Sequence, residues 1–307
     1  MPRSFPYLSL MHSFSRPPRA RTPLAHLSLL VVAVFGSLGG CSGARIVDAL
    51  TPSESYTETH DLAYGDGPRR RLDVYRPASL APGAKAPVVV FLYGGSWREG
   101  SKADYRFVAE ALTARGIVAV IADYRVYPEV SYPGFVEDTA AAVAWTFREI
   151  DRYGGDPQRI FVAGHSAGAY NAAMVAFDSR WLQPYGLEPQ RLRGFVGLAG
   201  PYNFLPIVDE GVKQVFHWPA TPPDSQPINH VSKGSIPSLL IAARKDTFVY
   251  PTKNTEPMAA RLREVGADVT MGIHDHVNHI TLVGSIARPL RFLAPVDREF
   301  TDFVLSH

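Results

Sequence analysis

Apolar residues in this chain gather into short runs separated by longer amphipathic stretches. Six runs, at residues 88–93, 117–123, 159–163, 195–199, 238–243 and 269–273, are apolar almost throughout, the pattern of strands covered on both faces. Two strands at 56–61 and 70–75 precede them; the second alternates apolar with polar, and the Gly65-Asp66-Gly67-Pro68 turn joins the pair. Helical periodicity fills the gaps at about 103–115, 135–153, 167–177 and 255–265, with a last helix near 280–292. An antiparallel start followed by β/α alternation predicts an α/β fold: a mostly parallel central sheet with antiparallel N-terminal strands and helices wrapped around it.

Residues 201–237, rich in Pro and carrying Trp218, Phe204 and Phe216, interrupt that alternation. A connection of that length has structure or a task of its own; we read it as a small cap over the strand ends, and as the carrier of substrate specificity. The folded domain is expected over 56–307, preceded by a tether at 41–55. Further upstream, an Arg/Pro/Ser-rich lead precedes the apolar run 27–35, too short to span a bilayer as a helix and shaped like a signal-peptide core. Leu38-Gly39-Gly40-Cys41 follows, and Cys41 is the only cysteine of the chain. The segment resembles the lipobox of bacterial lipoproteins, whose cysteine is acylated and becomes the new N-terminus. That resemblance implies a signal peptide over 1–40, lipidation at Cys41 and export to a bacterial membrane, on its outer-membrane or periplasmic side in a two-membrane cell. The alternatives are an ordinary secretory signal cleaved nearby and a buried core cysteine.

Composition changes this picture little: 46% hydrophobic and 20% charged residues are ordinary for a globular chain of 307 residues. The formal net charge of +2 comes from the leader, where Arg3, Arg16, Arg19 and Arg21 meet no acid. Beyond residue 40 the balance is slightly acidic, which gives no basis for a nucleic-acid partner. Oligomeric state is left open.

The chemistry-bearing motif is Gly164-His165-Ser166-Ala167-Gly168, between an apolar run and an alanine-rich helical stretch. Strand, sharp turn and helix in that order push a serine Oγ out above the strand end, with the helix N–H groups facing any oxyanion formed there. Tyr93-Gly94-Gly95-Ser96-Trp97 follows the first central strand, where small residues let backbone N–H groups approach a substrate oxygen. An acid to orient a base belongs at a later strand end. Asp246 fits that place, ahead of Asp209 and Asp224 in the expected cap and Asp268 before a strand. The histidine belongs last in the chain: His279 opens a helical stretch, with His276 and His274 as alternatives in His274-Asp275-His276-Val277-Asn278-His279. Three histidines and an aspartate so close together also suit a metal, yet no second ligand cluster accompanies them, so no metal or cofactor is assigned. His165 is read as a wall residue, and His217 and His230 as surface or cap residues.

Together with Tyr153-Gly154-Gly155-Asp156-Pro157-Gln158-Arg159-Ile160, these motifs resemble the α/β-hydrolase superfamily over roughly 56–305. Within it they are similar to the carboxylesterases grouped with hormone-sensitive lipase, kynurenine formamidase and prenylcysteine methylesterase, which carry an H-G-G-x-W loop. The resemblance implies Ser166 as nucleophile, His279 as base, Asp246 as orienting acid and an oxyanion hole from the N–H groups of Gly95, Ser96 and Ala167. It also implies a small-molecule ester as substrate, with amide hydrolysis, acyl transfer or a non-catalytic binding role as alternatives. Asp123-Tyr124-Arg125 matches a recurring family element, taken as bracing for the loops. Tyr93 departs from the family, standing where these esterases have histidine; its hydroxyl is expected to tether the oxyanion loop, the alternative being donation to the oxyanion itself.

Overall fold

The computed structural model describes Met1 and residues 51–307, so Cys41 and the expected signal peptide beyond Met1 lie outside the described residues. The strands are Tyr56–Ala63 (β1), Arg71–Pro77 (β2), Ala86–Leu92 (β3), Val118–Ala122 (β4), Gly155–His165 (β5), Gly194–Leu198 (β6), Ser238–Ala243 (β7) and Val269–His274 (β8). They form one sheet in the order β1-β2-β4-β3-β5-β6-β7-β8. The β1/β2 and β2/β4 pairs are antiparallel and all others parallel, as the early hairpin and the later alternation predict.

Register explains why the central runs carry no polar alternation. Phe161 lies opposite Gly194 and Val162 opposite Phe195, so Phe161 and Phe195 point to opposite faces of the sheet. The helices are Arg106–Thr113 (α1), Gly134–Glu149 (α2), Ala167–Phe177 (α3), Glu210–Val215 (α4), Thr255–Glu264 (α5), His279–Gly284 (α6) and Val296–Ser306 (α7). Phe161 meets Phe303 of α7 with ring centres 6.2 Å apart, and Phe195 meets Phe177 of α3 at 5.4 Å. Both faces are therefore covered, and every residue of β3, β4 and β6 is buried.

Several expected boundaries move. A 3-10 turn, Lys102–Tyr105, takes the start of the first expected helix, and another, Ile150–Tyr153, takes the end of the second. β5 begins at Gly155 because Gly155 pairs with Ala86 before the register shifts. The helix expected at 280–292 is not formed as one element: α6 stops at Gly284, a 3-10 turn follows at Arg288–Leu290 with Pro289 in its first positions, and the last helix starts after Pro295. Proline supplies no amide to continue a helix and excludes the preceding carbonyl pattern. Between β6 and β7, residues 201–237 hold α4 and the 3-10 turns Pro223–Ser225 and Pro227–His230. Phe204 and Phe216 from this segment pack on Trp97.

Candidate active site

Ser166 stands between β5 and α3 with φ 53° and ψ −121°, a backbone state that costs a non-glycine residue energy and must be enforced by its surroundings. Two bonds enforce it: the Ser166 amide donates to the Leu198 carbonyl at 2.9 Å, and the Tyr170 amide donates to the Ser166 carbonyl at 3.1 Å. A side chain at Gly168 would run into the Leu92 carbonyl oxygen, so glycine is what lets α3 approach β3 behind the serine.

His279 is the first residue of α6, and Asn278 caps that helix. The Asn278 side chain accepts from the Ile280 and Thr281 amides, and Thr281 Oγ1 accepts from the Asn278 amide at 2.8 Å, a reciprocal cap that fixes where the helix starts. His279 Nε2 lies 2.9 Å from Ser166 Oγ, and its Nδ1 lies 2.6 Å from Asp246 Oδ2. Asp246 follows β7 and is buried; its Oδ1 accepts from the amides of Phe248, at 2.9 Å, and Val249, at 2.8 Å. An ionised carboxylate only accepts, so the imidazole proton sits on Nδ1 and Nε2 is left to accept from the serine hydroxyl.

The other acids and histidines are elsewhere. Asp209 caps α4, Asp224 pairs with Arg180, and Asp268 meets His307. His274 bonds Glu299 at 3.0 Å, Asp275 pairs with Arg244, and His276 is exposed, so the histidine-rich stretch fans out rather than converging. His217 and His230 bond the carbonyls of Tyr132 and Asp224.

The loop after β3 turns through three consecutive positive φ values: 134° at Gly95, 51° at Ser96 and 57° at Trp97. The Gly95 carbonyl accepts from both Arg98 and Glu99 amides, and a Cβ on Gly95 would strike the Glu99 carbonyl. Among the described residues, the amides of Gly95, Ser96 and Ala167 donate to no protein acceptor. All three residues line one cavity with Ser166 and His279. Trp97 anchors the loop: its Nε1 donates to Asn171 Oδ1 at 2.9 Å, and its ring stacks on Phe135.

Tyr93 is fully buried and stacked on Tyr124, with ring centres 4.5 Å apart. Its hydroxyl accepts from Arg69 Nη2 at 3.0 Å, and the same nitrogen donates to the Gly100 carbonyl at 2.7 Å. Tyr93 thus clamps the two ends of the loop through Arg69, a residue that the sequence analysis missed. Asp123 Oδ1 accepts from the Lys102 amide, and Arg125 grips Asp138 with two nitrogens. The cavity measures about 410 Å³, and its walls include Phe107, Phe204, Val212 and Ile280. Val208, Phe248 and Tyr250 line it while remaining exposed.

Comparison with known proteins agrees with this architecture. The BD-FAE family model matches residues 72–262, a span that includes Ser166 and Asp246 and ends before His279. The probable isoprenylcysteine alpha-carbonyl methylesterase ICMEL1 of Arabidopsis thaliana is 29% identical over 265 residues, covering 79% of this chain and 54% of that protein. Esterase LipC of Mycobacterium tuberculosis is 31% identical over 228 residues, covering 68% of this chain and 56% of that protein. The chain thus spans little more than half the length of these curated relatives. Among solved structures, a truncated carbohydrate esterase from gut microbiota superposes with a TM-score of 0.68 at 19% identity, covering 83% of this chain and 98% of that one. Thermogutta terrifontis esterase 2, phosphoramylated by tabun, has a TM-score of 0.68 at 21% identity, covering 83% and 96%. The fold is that of the α/β-hydrolases.

Proposed function

The chain belongs to the BD-FAE family, and from that premise we propose that it is a carboxylesterase-like serine hydrolase that cleaves a small-molecule ester through an acyl-enzyme. Ser166 Oγ attacks the ester carbonyl carbon while its proton passes to His279 Nε2. The resulting oxyanion is held by amides of Gly95, Ser96 and Ala167. When the tetrahedral intermediate collapses, the C–O bond to the alcohol breaks and His279 returns the proton to the leaving oxygen. Water then repeats the sequence on the acyl-serine, releasing the acid and restoring Ser166. Asp246 holds the imidazole in the required tautomer and stabilises the imidazolium.

The observation that carries this reading is the row Ser166 Oγ, His279 Nε2, His279 Nδ1, Asp246 Oδ2, joined at 2.9 Å and 2.6 Å beside a strained nucleophile turn. The mostly apolar walls suit an ester with hydrocarbon on at least one side of the carbonyl. A panel of p-nitrophenyl esters of rising chain length tests it: the folded protein turns over at least one, and Ser166→Ala abolishes turnover. Activity unchanged in Ser166→Ala contradicts it. The lipidation of Cys41 belongs to the same proposal, placing the enzyme on a bacterial membrane after export. Palmitate fed to expressing bacteria should label the wild-type chain and not Cys41→Ala; equal labelling of both, or of neither, overturns the anchor.

A further inference from the structure

Behind the nucleophile turn lies a buried hydrogen-bonded chain that the hydrolysis reading leaves without a role. The Gly94 amide donates to Tyr105 Oη at 3.2 Å, Tyr105 Oη lies 3.0 Å from His165 Nδ1, and His165 Nε2 lies 3.1 Å from the backbone carbonyl of His279. Its direction is fixed at both ends. A carbonyl only accepts, so His165 carries its proton on Nε2; Nδ1 then accepts, and the Tyr105 hydroxyl donates to it while accepting from Gly94. The chain therefore starts in the oxyanion loop, passes beneath Ser166 and ends on the residue that carries the base.

We propose that Tyr105 and His165 are positioning residues for the hydrolysis, holding the oxyanion loop and the His279 backbone in register across Ser166. This rests on the assignment of Ser166 and His279 given above. Three further observations support it. Tyr105 and His165 are 8% and 2% exposed, and although both line the cavity beside Ser166, the three hydrogen bonds of the chain are buried. A Cβ on Gly94 would sit 3.0 Å from both His165 Nδ1 and Ser166 Cβ, so loop, histidine and nucleophile are packed as one unit. The His165 and His279 rings are 4.9 Å apart, and burial, followed by the charge of His279, holds the His165 pKa well below its usual range. A neutral His165 adds no repulsion when His279 becomes imidazolium.

Tyr105→Phe removes one oxygen and leaves the ring packing on Phe91 and Phe107. His165→Asn keeps an acceptor near the place of Nδ1 and gives up the reach to the His279 carbonyl; His165→Gln keeps a donor near the place of Nε2 and gives up the bond to Tyr105. For each variant and for Tyr105→Phe/His165→Asn, kcat and KM on p-nitrophenyl acetate, the rate of fluorophosphonate labelling and the Tm are measured. Thr146→Val, which removes a buried hydroxyl bonded to Ala142 in α2, is the control for stability alone. Each single substitution is expected to lower kcat and labelling rate by about tenfold with KM within about twofold, since the loss falls on transition-state alignment. The double variant should fall no further than about twofold below the worse single, because one cut already breaks the chain. Thr146→Val should lower Tm and leave kcat unchanged. Single variants with wild-type kcat, or losses that multiply in the double, overturn the proposal. Wild-type labelling separates the two levels: an unlabelled wild-type protein sinks the nucleophile assignment itself, whereas a labelled wild type with equally fast variants sinks only the positioning role.

Discussion

Both oxygens of Asp246 are committed: Oδ1 to the Phe248 and Val249 amides, Oδ2 to His279. That arrangement dictates what Asp246→Asn would do. The two amides demand an acceptor, so the asparagine oxygen takes the Oδ1 place and its NH₂ faces His279 Nδ1. The imidazole must then accept at Nδ1 and carry its proton on Nε2, where it can no longer receive one from Ser166. A fall in kcat of about 10⁴ with an unchanged fold is the expected outcome, and steady-state kinetics beside circular dichroism measures it. The side chains that meet here were legible as residue types in order, because a nucleophile turn, a strand-end acid and a late histidine each leave a local mark. Arg69 left none. It sits in a polar turn, 24 positions before Tyr93, and it reaches the loop after β3 because β2 pairs with β4 and β4 with β3. His165 was legible as a wall residue, but its two bonds depend on Tyr105 and on the α6 backbone, both remote in sequence.

The central strands follow continuous apolar runs because both sheet faces are covered there; the run at 269–273 is the exception, since β8 lies at the sheet edge and none of its residues is buried. The C-terminal helices are less legible in the sequence. Residues 280–292 carry helical periodicity, but Pro289 breaks it, and the real last element, α7, buries Val296, Phe300, Phe303 and Val304 along one stripe. That spacing of i, i+4, i+7 and i+8 was present in the sequence as an amphipathic signal. Phe300 is 1% exposed and packs against Phe91 of β3, with ring centres 6.5 Å apart. Truncating it to alanine removes a large side chain from a closed core, so Phe300→Ala should cost about 3–5 kcal/mol of stability in urea unfolding. Activity per folded molecule should stay near wild type, since α7 supplies no residue to the cavity. A loss of kcat without loss of stability would show that α7 does more than cover the sheet. The 201–237 segment was legible as an interruption, yet its contacts with Trp97 were not, because they join three distant stretches of chain.

For the whole molecule, the buried histidine links stability to pH. Burial depresses the His165 pKa well below the ordinary value of 6.5, so below that pH the unfolded chain binds a proton that the folded one refuses. Stability from this site is complete above about pH 6.5 and declines as pH falls, by at most about 1.4 kcal/mol per pH unit. His60 acts with the opposite sign, its pKa being raised although burial opposes this, because Asp73 and Glu58 favour the charged form. Comparing wild type with His165→Asn isolates the His165 contribution: between pH 6.5 and 5 the wild type should lose more unfolding free energy than the variant. Equal slopes would mean that His165 titrates alike in both states.

The proposed hydrolysis requires Ser166 to be the nucleophile, the one hydroxyl among the described residues placed on a strained turn, at a helix N-terminus and against an imidazole. Fluorophosphonate labelling of the folded protein, followed by mass-spectrometric peptide mapping, tests this most directly. The account predicts one adduct per chain, on Ser166, absent after Ser166→Ala and after denaturation. An adduct on any other residue, or a folded protein that does not label at all, would contradict it.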